Sequence, residues 1–389
     1  MEKLRQLFKR RGNIDYSLLF IVLFLLAFGL VMLYSTSSYE AAAEYKDAAY
    51  YLKRQAVFTI LGLGIMVFVS YIPYSLLKYI SGIAYLASIG FILLIIPFGL
   101  EVNGAKRWLS IPGMPMQLQP AEVAKIGVIV FSAMFIEKLG RRALTTWRGL
   151  LIPMVPAGIV AVMLWQITDN LSSAIIILAI VAGMLFVASP DYKRFAAIAV
   201  AILGSAAAVV MYIVNSADQN SLDFRGERIL AWLDPKAYAG GKGYQTIQAL
   251  YAIGSGGIFG KGLGQSMQKL GFIPEAQNDM IFSIICEELG LFGAISIMLM
   301  FLILLWRFVM IAYSADDFYG AMLVVGVFSH ISVQVILNIA VVTNTIPNTG
   351  VTLPFISYGG SSVFFLLAEI GIVLSVARGM GREELTDRL

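Results

Sequence analysis

The sequence predicts an all-α integral membrane protein with about ten transmembrane helices. Of its 389 residues, 59% are hydrophobic and only 13% are charged, and the mean hydropathy is +0.81. Soluble domains contain about 45–50% apolar and about 25% charged residues. The surplus apolar surface must therefore face lipid, where the backbone satisfies its hydrogen bonds within each helix.

Ten apolar segments are long enough for this purpose, since a helix needs about 20 residues to cross the hydrocarbon core. We expect them to form one polytopic domain over residues 1–389. The fourth segment is the most polar, because it contains Glu122 and Lys125. The predicted spans are 16–34, 56–75, 79–100, 122–138, 149–168, 171–188, 194–214, 281–306, 319–343 and 362–378.

Basic residues predict the orientation, since Lys and Arg accumulate in cytoplasmic loops. With an even number of spans, the basic segments all fall on one side, and both termini are predicted to be cytoplasmic. These residues are Lys3, Arg5, Lys9, Arg10, Arg11, Lys138, Arg141, Arg142, Arg148, Lys193, Arg194, Arg378, Arg382 and Arg388. The outer side then contains three loops, at 101–121, 215–280 and 344–361. The loop at 215–280 is far longer than a connection requires.

A glycine-rich segment lies within the longest outer loop. Residues 254–264, here called the glycine segment, contain six glycines. The segment is not a phosphate-binding P-loop, because Ser255 occupies the first glycine position and Gly262 replaces the Ser or Thr after Lys261. Two interpretations remain open: a backbone that closely approaches a ligand, and a flexible or re-entrant loop.

Asp279 is the strongest candidate for a catalytic residue. It lies where the long loop meets the eighth span, and Glu287 follows on the same helix face, about 12 Å deeper at 1.5 Å per residue. Partial desolvation at this boundary raises the pKa of a carboxyl group towards that of a useful general base. The alternative is that Asp279 only caps the helix, because Asp is a favoured N-cap residue.

Other polar residues in or beside the spans have structural interpretations as well as functional ones. Glu122 and Lys125 share a helix face at i and i+3 and are expected to form a structural ion pair. Asp169 lies in a short outer turn and is expected to cap the sixth span. Glu369 is expected to form an interhelical hydrogen bond. No Cys/His cluster indicates a zinc site.

The ninth span carries a polar stripe, formed by His330, Gln334 and Asn338 at i, i+4 and i+8. Polar side chains of this kind often hold membrane helices together. Basic residues of the outer loops are by default solvated surface charges, although an anionic headgroup such as a diphosphate would also explain them. They are Lys106, Arg107, Arg225, Arg228, Lys236, Lys242, Lys261 and Lys269.

Seven motifs, in this order along nearly the whole chain, resemble those of the SEDS proteins (shape, elongation, division and sporulation), and particularly the FtsW/SpoVE branch. The matching segments are Asn103-Gly-Ala-Lys-Arg-Trp108, Gln119-Pro-Ala-Glu-Val-Ala-Lys125, Gly243-Tyr-Gln245, 257–269, Pro274-Glu-Ala with Asp279 and Phe282, Glu287-Glu-Leu-Gly290, and Leu353-Pro-Phe-Ile-Ser-Tyr-Gly-Gly-Ser-Ser362. The chain departs from the family pattern at Gln277, Asn278 and Met280, which replace His, Thr and Phe. At Thr168 it departs again, since the family has Pro before the Asp.

The resemblance implies a peptidoglycan glycosyltransferase of the bacterial cytoplasmic membrane that polymerises lipid II beside a class B penicillin-binding protein. Asp279 would be the general base, and Lys106, Arg107, Lys242 and Lys261 are candidates to bind the diphosphate. Glu275 and Asp169 are further substrate-binding candidates, and either could replace Asp279 as the base. Supporting roles fall to Glu122, Lys125, Glu287, Ser357 and Glu369.

Membrane lipid and other division or elongation proteins are the further partners implied by the resemblance, and no nucleic acid is expected. The family resemblance also admits stimulation by a divalent cation, magnesium or manganese. Two alternatives are a lipid II flippase, which needs a polar path across the bilayer, and a non-catalytic scaffold that recruits division enzymes. In the scaffold, Asp279 and the glycine segment would be dispensable.

Overall fold

A computed structural model describes residues 14–102, 104–110, 117–215 and 224–379 of the chain. Ten long helices form its framework, and each corresponds to one predicted span. They are α1 (Tyr16–Tyr45), α2 (Tyr50–Tyr71), α3 (Ser75–Leu93), α5 (Pro120–Ala143), α6 (Trp147–Thr168), α7 (Leu171–Ala188), α8 (Tyr192–Asn215), α11 (Ile281–Tyr313), α12 (Phe318–Val342) and α13 (Gly360–Gly379). Three shorter helices are α4 (Ile95–Phe98), α9 (Phe224–Leu233) and α10 (Lys242–Gly256).

Nine of the long helices in the described part of the chain are long and apolar enough to cross a membrane. The exception is α5, which carries the polar residues noted in the sequence. It nevertheless packs among the others, against α3, α12 and α7, and its Ala124, Val128 and Ile129 are buried. The all-α, multi-pass architecture predicted from composition is therefore confirmed.

The helices differ greatly in how far they are buried within the bundle. α13 packs along α2, and α12 contacts α5, α7, α11 and α13, so these elements form the centre. By contrast, Ile213 is the one buried position along α8. Most faces of α8 are therefore left to lipid.

Two predicted outer loops contain secondary structure that was not expected from the sequence. Residues 99–118 include a three-stranded antiparallel sheet, in the order β1 (Gly99–Val102), β2 (Ala105–Ser110) and β3 (Gln117–Leu118). The long loop contains α9 and α10. These elements are short, and none of them carries an apolar run comparable with a span, so hydropathy alone does not detect them.

The glycine segment supplies hydrogen-bond partners to backbone groups at a break in α11. Gly290 interrupts that helix with φ 67° and ψ −166°, which frees backbone groups on both sides. Leu291 and Phe292 donate their N–H groups to the carbonyls of Gly257 and Ile258, at 2.9 and 3.1 Å. In return, Lys261 donates to the carbonyl of Glu287 at 2.9 Å. The segment is thus a structural partner of α11.

Part of the loop between α12 and α13 is buried within the bundle, including Val351 and residues 353–357. Buried backbone groups require hydrogen-bond partners. Gln334 donates to the carbonyl of Thr352 at 3.0 Å, and Asn338 donates to that of Val351 at 2.7 Å. Two members of the polar stripe on α12 therefore serve this loop, whereas the sequence predicted that they would join helices.

Candidate active site

Asp279 lies in the turn that leads into α11, and its side chain is half-buried. It does not cap the helix, because α11 begins after Met280 and has no side-chain cap hydrogen bond. Its backbone carbonyl accepts a 2.7 Å hydrogen bond from the amide of Asn338. Since the same amide group also holds Val351, Asn338 fixes the Asp279 turn to the buried loop.

The Asp279 carboxylate faces the loop at Gly350. A Cβ atom built at that glycine, where φ is +67°, would lie 4.0 Å from Asp279 Oδ2. Burial, the largest effect, raises the pKa of Asp279 to about 6, and the negative charge of Glu275 adds to the increase. The positive charge of Arg228 and a backbone hydrogen bond act in the opposite direction. A carboxyl group with this pKa is ionised at neutral pH and is still basic enough to accept a proton.

A hydrogen-bonded network surrounds the same turn. Gln245 on α10 donates to the carbonyl of Pro274 at 3.3 Å and accepts from the amide of Asn348 at 3.0 Å. Arg228 on α9 donates to the carbonyl of Asn348 at 3.4 Å. Helices α9 and α10, the Asp279 turn and the buried loop are therefore joined at one end of the bundle, here called the Asp279 end.

The predicted basic residues do not converge on one point. Arg107 on β2 donates to the carbonyls of Asp169 and Thr168, at 2.9 and 3.4 Å, and Lys106 beside it is exposed. Lys261 forms a 2.7 Å ion pair with Glu287, so its charge is already balanced. Lys242 begins α10, and its side chain lies outside the described part of the structure.

Asp169 does not cap the sixth span, contrary to the expectation. It ends α6, the fifth predicted span, in the left-handed conformation, with φ 49°. The N-cap of α7, the sixth predicted span, is the neighbouring residue, Asn170, whose side chain accepts a 3.0 Å hydrogen bond from the N–H of Ser173. Ser172 donates to the carbonyl of Thr349, and this contact brings the Asp169 turn to the Asp279 end.

Two polar contacts expected within the bundle are formed, an ion pair and an interhelical hydrogen bond. Glu122 and Lys125 lie 2.8 Å apart and are almost completely buried. Glu369 on α13 lies 2.8 Å from Nδ1 of His330 on α12, so this member of the polar stripe does join two helices, as predicted.

The remaining support residues hold loops in place. The Glu287 carboxylate accepts hydrogen bonds from Ser266 and from the N–H groups of Met267 and Gln268. Ser357 accepts a 2.8 Å hydrogen bond from the N–H of Leu353 and closes the turn of the buried loop. These contacts agree with structural rather than catalytic roles for both residues.

The positions that depart from the family pattern lie beside the acid. The carbonyl of Gln277 accepts a 2.9 Å hydrogen bond from the N–H of Tyr358. The amide of Asn278 donates to Glu275 at 2.9 Å, and Glu275 itself has a positive φ of 48°. Asn278 therefore holds the carboxylate whose charge contributes to the raised pKa of Asp279.

A divalent cation has no evident ligand set here. Within the described ranges, no three His, Cys, Asp or Glu side chains are grouped as metal ligands. The acidic residues of the Asp279 turn are one carboxylate with a raised pKa and an exposed neighbour. We therefore assign no reaction step to a cation.

The fold and the site together define a class of protein: a multi-pass membrane protein with a half-buried acid at one end of its helical bundle. Residues 16–381 match the family model for FtsW, RodA and SpoVE, described as cell cycle proteins. The chain therefore belongs to the FtsW/RodA/SpoVE family.

Relatives of known name support this assignment. The stage V sporulation protein E of Bacillus subtilis is 36% identical over 95% of this chain and 98% of its own. A probable peptidoglycan glycosyltransferase FtsW of Trichlorobacter lovleyi is 37% identical over 100% of this chain and 99% of its own.

Solved structures show the same fold. One chain belongs to a peptidoglycan synthase complex whose structure concerns the coordination of polymerisation and crosslinking. It has a TM-score of 0.76 and 26% identity, covering 94% of this chain and 98% of its own. The rod shape determining protein RodA of Thermus thermophilus has a TM-score of 0.65 and 26% identity, covering 95% of this chain and 99% of its own.

Several residues of the site were not selected from the sequence. Gln245 was noted only as part of a motif, and Asn338 only as part of a stripe. No sequence motif marked Asn348. Arg228 was one of eight basic residues of the outer loops, and only the folded structure shows that it is the one whose charge acts on Asp279.

Proposed function

We propose that this chain is a peptidoglycan glycosyltransferase that polymerises lipid II, with Asp279 as the general base. The observation that carries the proposal is the position of Asp279: a half-buried carboxylate, with a pKa raised to about 6, held at the end of the bundle by Asn338. The family relationship supports the reaction class, and the geometry supports Asp279 as the base.

In the proposed reaction, the 4-hydroxyl oxygen of one sugar attacks C1 of another sugar that is linked to a lipid diphosphate. The new C1–O bond forms as the bond from C1 to the phosphate oxygen breaks. The diphosphate leaves with the electron pair, and Asp279 accepts the hydroxyl proton. Cationic donors stabilise the leaving group. Lys106, Arg107 and Lys242 are the candidates for this role, and Lys261 would first have to leave its ion pair with Glu287.

We also propose that the Asp279 end faces outward and that both termini are cytoplasmic, in a bacterial inner membrane. A class B penicillin-binding protein is the proposed partner, because polymerisation and crosslinking are coordinated in the complex that contains a structural relative. The partner would use the new glycan strand as its substrate.

The test is the polymerisation of purified lipid II in detergent, where transport across a membrane has no meaning. Asp279→Asn keeps the size of the side chain but cannot accept a proton. Because general base catalysis contributes about 10²–10⁴-fold, we expect the rate to fall by that factor, with expression unchanged. Asp279→Glu should also lose activity, because an error of about 1 Å in position can cost about 10²-fold.

A folded Asp279→Asn protein that polymerises lipid II at the wild-type rate would refute the assignment of the base. In that case Asp169 and Glu275 are the next candidates. A wild-type protein that never polymerises lipid II, even with its partner present, would instead favour the flippase or scaffold alternatives.

A further inference from the structure

A cavity of about 240 Å³ lies beside the Asp279 turn. Its lining comes from α9, α10, the turn before α11 and the loop between α12 and α13. Two of the lining residues belong to segments that contact or contain the proposed base, Asp279. Pro274 belongs to the Asp279 turn, and Asn348 lies two residues before Gly350, which faces the Asp279 carboxylate.

Among the described side chains, the lining combines flat aromatic surface with amide groups, and Arg228 is its one cationic member. Trp232 and Tyr244 supply the aromatic surface, Gln245 and Asn348 supply the amides, and Arg228 supplies the positive charge. A sugar ring presents an apolar C–H face and a rim of hydroxyl groups, and both have counterparts here. Among the described lining residues, a diphosphate would find one cationic partner, Arg228, whereas a sugar ring finds both aromatic and amide partners.

Hydrogen bonds hold the side chains of this lining in place. The Trp232 indole donates to the carbonyl of Asn344 at 3.0 Å, and the Asn344 amide returns a 3.3 Å hydrogen bond to the carbonyl of Trp232. Gln245 and Asn348 are joined at 3.0 Å. Polar groups fixed in this way can read the hydroxyl pattern of a ligand with little loss of conformational entropy.

We propose that this cavity binds the sugar ring of the acceptor, the substrate whose hydroxyl group attacks. The inference rests on the proposed function, since it assumes that Asp279 takes the proton of that hydroxyl. A base must lie about 2.6–3.2 Å from the proton-bearing oxygen, so the acceptor sugar must bind next to Asp279. Pockets for drug-sized ligands measure about 300–1,000 Å³, so this smaller cavity suits one ring and not the whole substrate.

The test measures binding without turnover. All variants carry Asp279→Asn, and Cys286, the one native cysteine, is replaced by Ala. Thr246→Cys places a thiol of nearly the same size in the lining, and Gln265→Cys places the control thiol at an exposed position just after the glycine segment. The rate of modification by a small thiol reagent is measured with N-acetylglucosamine and, separately, with inorganic pyrophosphate.

We expect N-acetylglucosamine to slow the modification of Thr246→Cys by a factor of 1 + [L]/Kd, about tenfold at nine times Kd. The control should be unaffected. Adding Trp232→Ala should abolish the protection. Protection by pyrophosphate alone would overturn the proposal in favour of an anion site, and equal rates with and without the sugar would overturn it as well.

A second measurement does not depend on the cysteine variants. Titration of the Asp279→Asn protein with N-acetylglucosamine should change the tryptophan fluorescence in a saturable way, and Trp232→Phe should remove that change. A saturable change that persists in Trp232→Phe would place the sugar elsewhere. Because neither readout needs catalysis, these results stand even if the polymerisation test removes Asp279 from the role of base.

Discussion

At the scale of the residue, the chemistry of the site depends on how the turn before α11 places its two carboxylates. Glu275 is exposed and Asp279 is half-buried, although the residues lie four positions apart. The cost of desolvation therefore falls on Asp279, and the nearby charge of Glu275 raises its pKa further.

The first prediction concerns the pH dependence of kcat/KM, which reports the pKa values of the free enzyme. Asp279 accepts a proton only when ionised, so activity should fall about tenfold per pH unit below its pKa of about 6. Glu275→Gln removes a like charge and should move this acid limb to lower pH. The measurement is the polymerisation rate at limiting lipid II between pH 4 and 8.

The residual activity of Asp279→Asn serves as the control and should lack the acid limb. If the wild-type rate fell only near the usual aspartate pKa of about 3.9, or if Glu275→Gln left the limb unchanged, the electrostatic account of this turn would be wrong.

The second prediction concerns the buried pair of Glu122 and Lys125. Removing one partner leaves the other charge without compensation, which typically costs about 3–5 kcal/mol. Glu122→Gln and Lys125→Met should therefore each lower the thermal unfolding midpoint in detergent, and the double variant should recover part of the loss. Normal stability combined with lost polymerisation in either single variant would indicate a direct role in the reaction.

At the scale of the element, the break in α11 and the glycine segment pack against each other through backbone hydrogen bonds. Gly260 has φ +77°, and a Cβ atom added there would lie 2.2 Å from the carbonyl oxygen of Glu288. The glycines in this segment thus allow backbone to approach backbone. From the sequence, we expected these glycines to let the backbone approach a ligand closely. In the structure, they let it approach the backbone of α11.

The third prediction tests this packing. Gly260→Ala should reduce thermal stability, because it combines an unfavourable left-handed conformation, costing about 1–2 kcal/mol, with a steric clash. Gly254→Ala is the matched control, because Gly254 lies within α10 and an added Cβ would have nothing within 4 Å. Equal unfolding midpoints for the two variants in detergent would show that the backbone can shift at Gly260 at little cost, and the close packing against α11 would then not matter for stability.

The elements also show which features the sequence could predict. Nine of the ten predicted spans coincide with described helices that are long and apolar enough to cross a membrane, because a run of about 20 apolar residues is the main signal of a membrane span. The buried loop was not predicted, since its hydrogen-bond partners Gln334 and Asn338 come from another element. The three-stranded sheet was missed for a related reason: its strands depend on pairing with one another and not on local composition.

At the scale of the whole molecule, the site combines distant parts of the chain. The turns at Asp169 and Asp279 and the buried loop meet at one end of the bundle through Ser172, Asn338 and Asn348. Motifs in the sequence marked most of these segments but could not show which side chains touch. That is why Asp279 could be chosen in advance, while Arg228 and Asn348 required the fold.

The fourth prediction concerns orientation across the membrane. The basic loops and the number of long helices predict that Gly240 is external and Thr145 internal. Reporter fusions at these two positions should therefore give opposite results, with an enzyme that is active only outside the cell reporting from Gly240. Reversed results would place the Asp279 end in the cytoplasm and would be incompatible with polymerisation on the outer face.

The hydrogen bonds between the glycine segment and the Gly290 break also bear on how this part of the molecule folds and unfolds. Lys261 donates its N–H group to the carbonyl of Glu287, before the break, and Leu291, just after the break, donates its N–H group to the carbonyl of Gly257 in the glycine segment. Neither segment can be released alone without leaving unpaired backbone groups on the other. The two should therefore behave as one cooperative unit, in which the end of the long loop and the first turns of α11 become ordered in a single event.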